Sequence, residues 1–211
     1  LRRSRGLGDV YKRQILPKDQ TDQGISNKTK TMRELGPVDI SSIREDILNL
    51  PQDIWEVKDQ DKPNKFQKLG RTEHIVFKFV RNYDNHLDNF FYPIWDEWKS
   101  RMEPVLEAVT KPYNYKDGDF SRIMLAKLPA GGKINRHIDP YKSSNYTHKI
   151  HIPITTNDKV EFWVDRKIYH FQEGYAYEVN NKAIHGGINK GDTDRINLII
   201  EYYENSSLMD N

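Results

Sequence analysis

Hydrophobic residues recur at helical spacing in two parts of the chain. Residues 41–50 place three aliphatic side chains on one helical face ahead of Pro51, which predicts a helix that ends before the proline. Residues 86–109 predict one or two amphipathic helices, interrupted at Pro93 and Pro104, because proline lacks the N–H group that a helix interior needs. The aromatic side chains of this second stretch suit a helix that packs on a sheet.

Most of the remaining chain either alternates between apolar and polar residues or is rich in β-branched and aromatic residues, as β-strands are. Turn-forming residues separate these segments, and no helical pattern interrupts them between residues 121 and 203. Short strands at close spacing favour an antiparallel sandwich or barrel over a parallel α/β sheet. The predicted fold is therefore mainly β with flanking helices. Its predicted strands are 74–80, 121–128, 147–154, 159–164, 167–171, 175–179 and 195–203.

The same pattern divides the chain into four parts. Residues 1–14, LRRSRGLGDVYKRQ, resemble translated cloning or sequencing adapter. Residues 15–36 are polar and have no sustained period, which predicts a disordered or loosely held leader. Residues 37–205 form the one predicted domain, and residues 206–211 are predicted to be a tail.

Composition narrows the possible compartments and ligands. No apolar run approaches the ~18–20 residues that span a bilayer, and the N-terminal residues lack the hydrophobic region of a secretory signal. The chain has 211 residues and no cysteine, so any metal must be held by His, Asp or Glu. We expect a cytoplasmic protein without a membrane partner.

The net charge of +2 is a poor guide to partners. Residues 1–14 carry five basic side chains and one acid, a net +4, so the other residues have a net charge of −2. They contain no basic stripe of the kind that follows a phosphate backbone. We therefore expect no nucleic-acid partner.

Three candidate metal ligands lie in the second half of the chain. His137 and Asp139 are two residues apart, so in a strand both side chains would leave the same face. The pair alone is common by chance, but a later segment adds His185 just before a glycine pair and a turn. Two histidines and one carboxylate are the facial triad of non-haem Fe(II) oxygenases, which leaves three positions of the ion open for other ligands.

Arg195 is a candidate for binding an anion. It begins an apolar strand ten residues after the third candidate ligand, and Asn197 shares its strand face. A guanidinium buried there needs an anion, and a dicarboxylate suits its fork geometry. Taken alone, an ion pair with Asp192 or Asp194 is the simpler interpretation. Beside the candidate triad, a bound carboxylate ligand is favoured.

With these residues, the chain from about 71 to 203 resembles the aspartyl/asparaginyl/proline β-hydroxylase family of Fe(II)- and 2-oxoglutarate-dependent oxygenases. The matching pieces are RTEHIVFKF (71–79), LAKLPAGGKINRHIDPY (125–141), THKIHIPITT (147–156) and HGGINKGDTDRINLIIEYY (185–203). The resemblance implies a double-stranded β-helix, which is a jelly-roll, cupin-like fold. It also implies that the chain hydroxylates an amino acid or a peptidyl Asp-, Asn- or Pro-type residue, with O2 as oxidant and release of succinate and CO2.

The resemblance also implies roles for individual residues. The implied iron ligands are His137, Asp139 and His185. Arg195 would bind the distal carboxylate of 2-oxoglutarate, and Lys149 and His151 match positions near its proximal carboxylate. Lys149 departs from the arginine that is usual there. The carboxylate of Asp139 argues against halogenation, because related halogenases lose that ligand.

The implied partner is a small-molecule or peptide substrate. Arg122, Arg136 and Lys133 are the available cations near the motif strands for a substrate carboxylate, although alternation turns Arg136 away from His137. Two other functions remain open. One is a cupin-type metalloenzyme that does not use 2-oxoglutarate and has no need of the anion-binding arginine. The other is a non-catalytic β-barrel binding module in which the metal motif is a coincidence.

Overall fold

The computed structural model describes residues 24–25, 27–59 and 72–205. Predictions for residues 1–14, 15–23 and 206–211 lie outside this part of the chain. The helices are α1 (Ser41–Leu48), α2 (Gln52–Asp59) and α3 (Trp95–Thr110). The strands are β1 (Met32–Pro37), β2 (Glu73–Val80), β3 (Asn89–Phe91), β4 (Gly118–Leu128), β5 (Lys133–His137), β6 (His148–Thr155), β7 (Val160–Val164), β8 (Lys167–Tyr169), β9 (Tyr175–Val179), β10 (His185–Asn189) and β11 (Arg195–Glu204). No helix in these residues is long and apolar enough to cross a bilayer.

The strands form two antiparallel sheets. The larger has the order β1-β9-β6-β11-β4-β2-β3, and the smaller has the order β5-β10-β7-β8. The sheets face each other, because Phe162 and Val164 of the smaller sheet pack with Tyr177 and Val179 of the larger one. This architecture confirms the prediction of a mainly-β, double-stranded β-helix fold with flanking helices.

Alternation along β11 separates the main core from the interior between the sheets. Ile196, Leu198 and Ile200 are buried in a cluster with side chains of α1 and α3, so this face of the larger sheet carries the helices. Arg195, Asn197 and Glu201 alternate with them along the strand, are also buried and point to the interior. The polar side chains of this strand are therefore enclosed between the two sheets, where a functional site can form.

The prediction of a disordered or loosely held leader over residues 15–36 is wrong where the structure describes that segment. Ile25 is buried and its backbone N–H donates to the carbonyl of Pro112 over 3.0 Å. β1 then begins at Met32 and pairs with β9 at the edge of the larger sheet. Backbone pairing with a distant strand holds this polar segment, and hydrophobic periodicity cannot show such a pairing.

The prolines also act differently from the prediction. Pro104 lies inside α3, where buried Met102, Val105 and Leu106 hold the helix on the core despite the missing N–H. Pro51 follows α1 as expected, but it precedes a second helix that the sequence did not indicate. The sequence also missed two strands of the smaller sheet, β5 and β10, because their polar and glycine residues conceal the alternation.

Candidate metal centre and adjoining cavity

The three predicted metal ligands meet at one point in the interior. β10 pairs with β5 so that His185 lies opposite His137, and their ring centroids are 4.3 Å apart. Oδ1 of Asp139 lies 3.6 Å from Nε2 of His137 and 3.7 Å from Nε2 of His185. One nitrogen or oxygen from each residue lies within 4.8 Å of the others, a spacing that fits a single metal ion.

Asp139 reaches this point by a different route from the predicted one. β5 ends at His137, so Asp139 is not on the same strand face but in the loop beyond it. Its backbone N–H donates to the carbonyl of Asn181 over 3.0 Å, and Lys182 Nζ donates to its carbonyl oxygen over 2.8 Å. The turn before β10 therefore fixes the loop that carries the carboxylate.

Backbone carbonyls set the tautomer of both histidines. Nδ1 of His137 is 2.8 Å from the carbonyl oxygen of Asn135, and Nδ1 of His185 is 3.0 Å from that of Ala183. A carbonyl oxygen only accepts, so Nδ1 carries the hydrogen and Nε2 keeps its lone pair. In both rings Nε2, which carries the free lone pair, faces the carboxylate of Asp139 and can bind a metal ion. Burial lowers the pKa of His185 to about 4, which keeps this ring neutral at physiological pH.

The carboxylate of Asp139 is held as an anion. Burial alone would raise its pKa, but the Lys149 ammonium and the neighbouring histidines outweigh burial and hold the pKa well below its usual range. Lys149 Nζ donates to Oδ2 over 2.6 Å, and this leaves Oδ1 directed at the histidines. Lys149 therefore orients the acidic ligand, a role that the sequence did not indicate.

A small cavity adjoins the candidate metal centre and extends along β11 to Arg195. Lys149, His151 and Arg195, for which the resemblance implies contacts to 2-oxoglutarate, line it. Thr72 and His74 line it as well, from the start of β2. The sequence analysis did not identify these two residues. His74 begins the predicted strand 74–80, and Thr72 lies two residues before it.

Arg195 is a buried cation without a carboxylate partner in the described part of the chain. Its exposed fraction is 5%, and no carboxylate of those residues forms an ion pair with it. Its Nε donates to Oδ1 of Asn197 over 3.1 Å, and Asp194 accepts instead from the backbone of Ala130. Burial lowers the pKa of Arg195 to about 10, so the side chain is still charged at neutral pH. The cavity therefore holds an unneutralised guanidinium.

Two further polar atoms of the cavity lack partners. Nε2 of His151 and Oγ1 of Thr72 are buried, and neither has a hydrogen-bond partner among the described residues. Buried polar groups are normally satisfied, so both atoms are available to hydrogen-bond a ligand in the cavity. With Arg195 they supply a cation and two hydrogen-bonding groups, a set that fits a small dicarboxylate. The facial triad likewise fits a divalent ion that prefers imidazole and carboxylate ligands.

The structure does not bring the other predicted cations to the cavity. The guanidinium of Arg122 is buried against the carboxylate of Glu201 and donates to Oγ of Ser143 over 2.9 Å. Arg136 is exposed, with its guanidinium 5.4 Å from the Trp163 ring, and Lys133 is exposed as well. A substrate carboxylate at the metal centre would not meet these three side chains directly.

The chain is similar to known proteins in its sequence family and in its fold. A family model described as Aspartyl/Asparaginyl beta-hydroxylase matches residues 39–205. A crystal structure of an oxidoreductase of the 2OG-Fe(II) oxygenase family from Burkholderia pseudomallei is similar with a TM-score of 0.52, covering 87% of this chain and 96% of that chain at 10% identity. A non-heme monooxygenase, the ThoJ-Ni complex, has a TM-score of 0.50, covering 82% of this chain and 74% of that chain at 12% identity. No curated protein matches the chain by sequence.

Proposed function

The chain belongs to the aspartyl/asparaginyl β-hydroxylase family and is an oxygenase, and from this membership we propose an Fe(II)- and 2-oxoglutarate-dependent dioxygenase. Its substrate is an amino acid or a peptidyl Asp-, Asn- or Pro-type residue, and its coproducts are succinate and CO2. The observation that carries the proposal is the buried, unneutralised Arg195 at the end of a cavity that begins at three convergent metal-ligating side chains.

His137, Asp139 and His185 would hold Fe(II) through Nε2, Oδ1 and Nε2. Their tautomers and charges suit this role without a bound metal. Backbone carbonyls accept hydrogen bonds from both Nδ1 atoms, and Lys149 donates to Oδ2 of Asp139. Outer partners of this kind orient metal ligands and raise metal affinity. With Fe(II) and 2-oxoglutarate bound, the centre would supply the O2-derived oxidant for hydroxylation.

Arg195 would bind the distal carboxylate of 2-oxoglutarate, and Thr72 and His151 would contribute hydrogen bonds. Phe162 and Leu128 complete the cavity with apolar surface that excludes water from the charged contacts. These side chains would position the cosubstrate through contacts that the three metal ligands do not supply. A cupin-type enzyme without 2-oxoglutarate or a binding module would leave the cation of Arg195 unneutralised, so neither alternative is favoured.

Turnover of 2-oxoglutarate tests this proposal. The purified chain is incubated with Fe(II), 2-oxoglutarate and O2, with and without candidate amino acids or peptides, and succinate is measured by mass spectrometry. We expect succinate formation that requires Fe(II) and is lost in His185→Ala. A folded, iron-loaded chain that forms no succinate with or without added amino acids or peptides, or one that forms as much after the substitution, would contradict the proposal.

A further inference from the structure

Asn197 joins two side chains that line the cavity, those of Arg195 and His151, in a buried relay. Arg195 Nε donates to Oδ1 of Asn197 over 3.1 Å, and Nδ2 of Asn197 lies 3.3 Å from Nδ1 of His151. Asn197 is completely buried, and the exposed fraction of His151 is 4%. Water therefore cannot easily replace either contact.

The arginine decides which way the asparagine amide points. A guanidinium has donors only, so the group that faces Arg195 Nε has to be the amide oxygen. Turning the amide over would set its NH2 against the N–H of Arg195 and leave two donors in contact. The NH2 group of Asn197 is consequently directed at His151, where it can only donate.

The asparagine in turn decides which nitrogen of His151 carries the hydrogen. Burial, together with the nearby cations of Lys149 and Arg195, lowers the pKa of His151 well below its ordinary value, so the ring is neutral and has one N–H. Nδ1 receives a hydrogen bond from Asn197 and must therefore be the bare nitrogen. The hydrogen lies on Nε2, which is the buried atom without a partner at the cavity.

We propose that Asn197 is a positioning residue that locks His151 in the Nε2–H tautomer, so that the cavity presents a hydrogen-bond donor to an anionic ligand. The opposite tautomer would present a lone pair and repel a carboxylate. The backbone carbonyls at His137 and His185 fix the reverse tautomer, with Nε2 bare, so the site holds metal-facing acceptors and an anion-facing donor. The donor's role toward 2-oxoglutarate rests on the proposed function, whereas the tautomer itself does not.

Nitrogen NMR of the metal-free full chain, labelled with 15N-histidine, reads the tautomer directly. The chain has seven histidines, and the His151→Gln spectrum identifies the His151 signals by their loss. We expect Nε2 of His151 to be protonated and Nδ1 to be bare across the neutral pH range. A protonated Nδ1 in the wild-type chain would overturn the proposal. The tautomer is read from the wild-type spectrum, and the variant serves only to assign the His151 signals.

Asn197→Asp tests whether Asn197 sets the tautomer. A carboxylate at this position accepts from both neighbours, so Nδ1 of His151 must gain a hydrogen. We expect that protonation in the folded variant, with fold checked by circular dichroism and Ser100→Ala in the exposed surface of α3 as a matched control that leaves the His151 signals unchanged. A folded aspartate variant in which Nδ1 stays bare would overturn the role of Asn197.

The consequence for the ligand is tested separately at His151. Glutamine places an amide N–H near the position of Nε2, whereas leucine removes the donor. We expect the dissociation constant of 2-oxoglutarate to be about tenfold or more higher for His151→Leu than for His151→Gln, since hydrogen bonds to charged groups contribute ~1.5–3 kcal/mol. Equal affinities of the two variants would overturn the donor's role. If the wild-type chain itself binds no 2-oxoglutarate, the proposed function fails, and the NMR result still decides the tautomer.

Discussion

Replacing Arg195 with alanine removes the one cation that the cavity presents without a carboxylate partner among the described residues. Its exposed fraction is 5%, so its contact with a bound carboxylate would be shielded from solvent. Removing one member of a buried charge pair costs ~2–5 kcal/mol, because the remaining charge is left unpaired. At ~1.4 kcal/mol per tenfold change, the dissociation constant of 2-oxoglutarate should rise at least ~30-fold.

Anaerobic calorimetric titration of the iron-loaded protein with 2-oxoglutarate measures this change. Fe(II) affinity should be nearly unaffected, because Arg195 contacts none of the three candidate ligands in the structure. Arg195→Lys should have an intermediate affinity, since an ammonium keeps the charge but loses the planar fork and the contact to Asn197. Arg166→Ala, an exposed arginine in the turn between β7 and β8, is the matched control and should stay within ~2-fold. A folded Arg195→Ala variant with unchanged affinity would refute the assignment of Arg195 to the cosubstrate.

Three further outcomes follow from the geometry. His137→Ala and His185→Ala should each abolish stoichiometric Fe(II) binding, measured by metal analysis after gel filtration, and retention of one iron per chain would contradict the triad. Glu201→Gln should lower the free energy of unfolding by ~3–5 kcal/mol in urea titrations, because it leaves the buried Arg122 uncompensated; a change below ~1 kcal/mol would show that this pair is not a structural anchor. Gly186→Ala should weaken iron binding, because the added Cβ would lie 2.8 Å from a carbonyl oxygen of β5 and push the two histidine strands apart; unchanged affinity would contradict this account.

The sequence predicted those features that depend on local pattern and residue chemistry. Alternation identified most strands of the larger sheet, and the residue types of His137, Asp139 and His185 indicated the three side chains that converge in the candidate metal centre. The ordered part of the leader was missed, because β1 is held by backbone pairing with a strand about 140 residues later. Distance along the chain hides such a partner from any pattern.

The cavity was predictable only in part, for a similar reason. Arg195 and His151 lie on strand faces that alternation can assign, whereas Thr72 reaches the cavity through the packing of β2 beside β4. Arg122 was predicted as a cation for a substrate carboxylate. It lies on the interior face as alternation requires, but its charge is already neutralised by Glu201. Alternation assigns a side chain to a face, but the tertiary partner decides whether its charge is available.

We expect one ion and one dicarboxylate to bind together at this centre, and anaerobic titration with Fe(II) and then 2-oxoglutarate tests this most directly. The Fe(II) complex of 2-oxoglutarate absorbs weakly in the visible range, so the band reports both ligands at once. We predict a band that saturates at one equivalent of Fe(II) per chain, requires 2-oxoglutarate and is absent in His185→Ala. A correctly folded wild-type chain that binds Fe(II) but develops no such band at saturating 2-oxoglutarate would contradict the account.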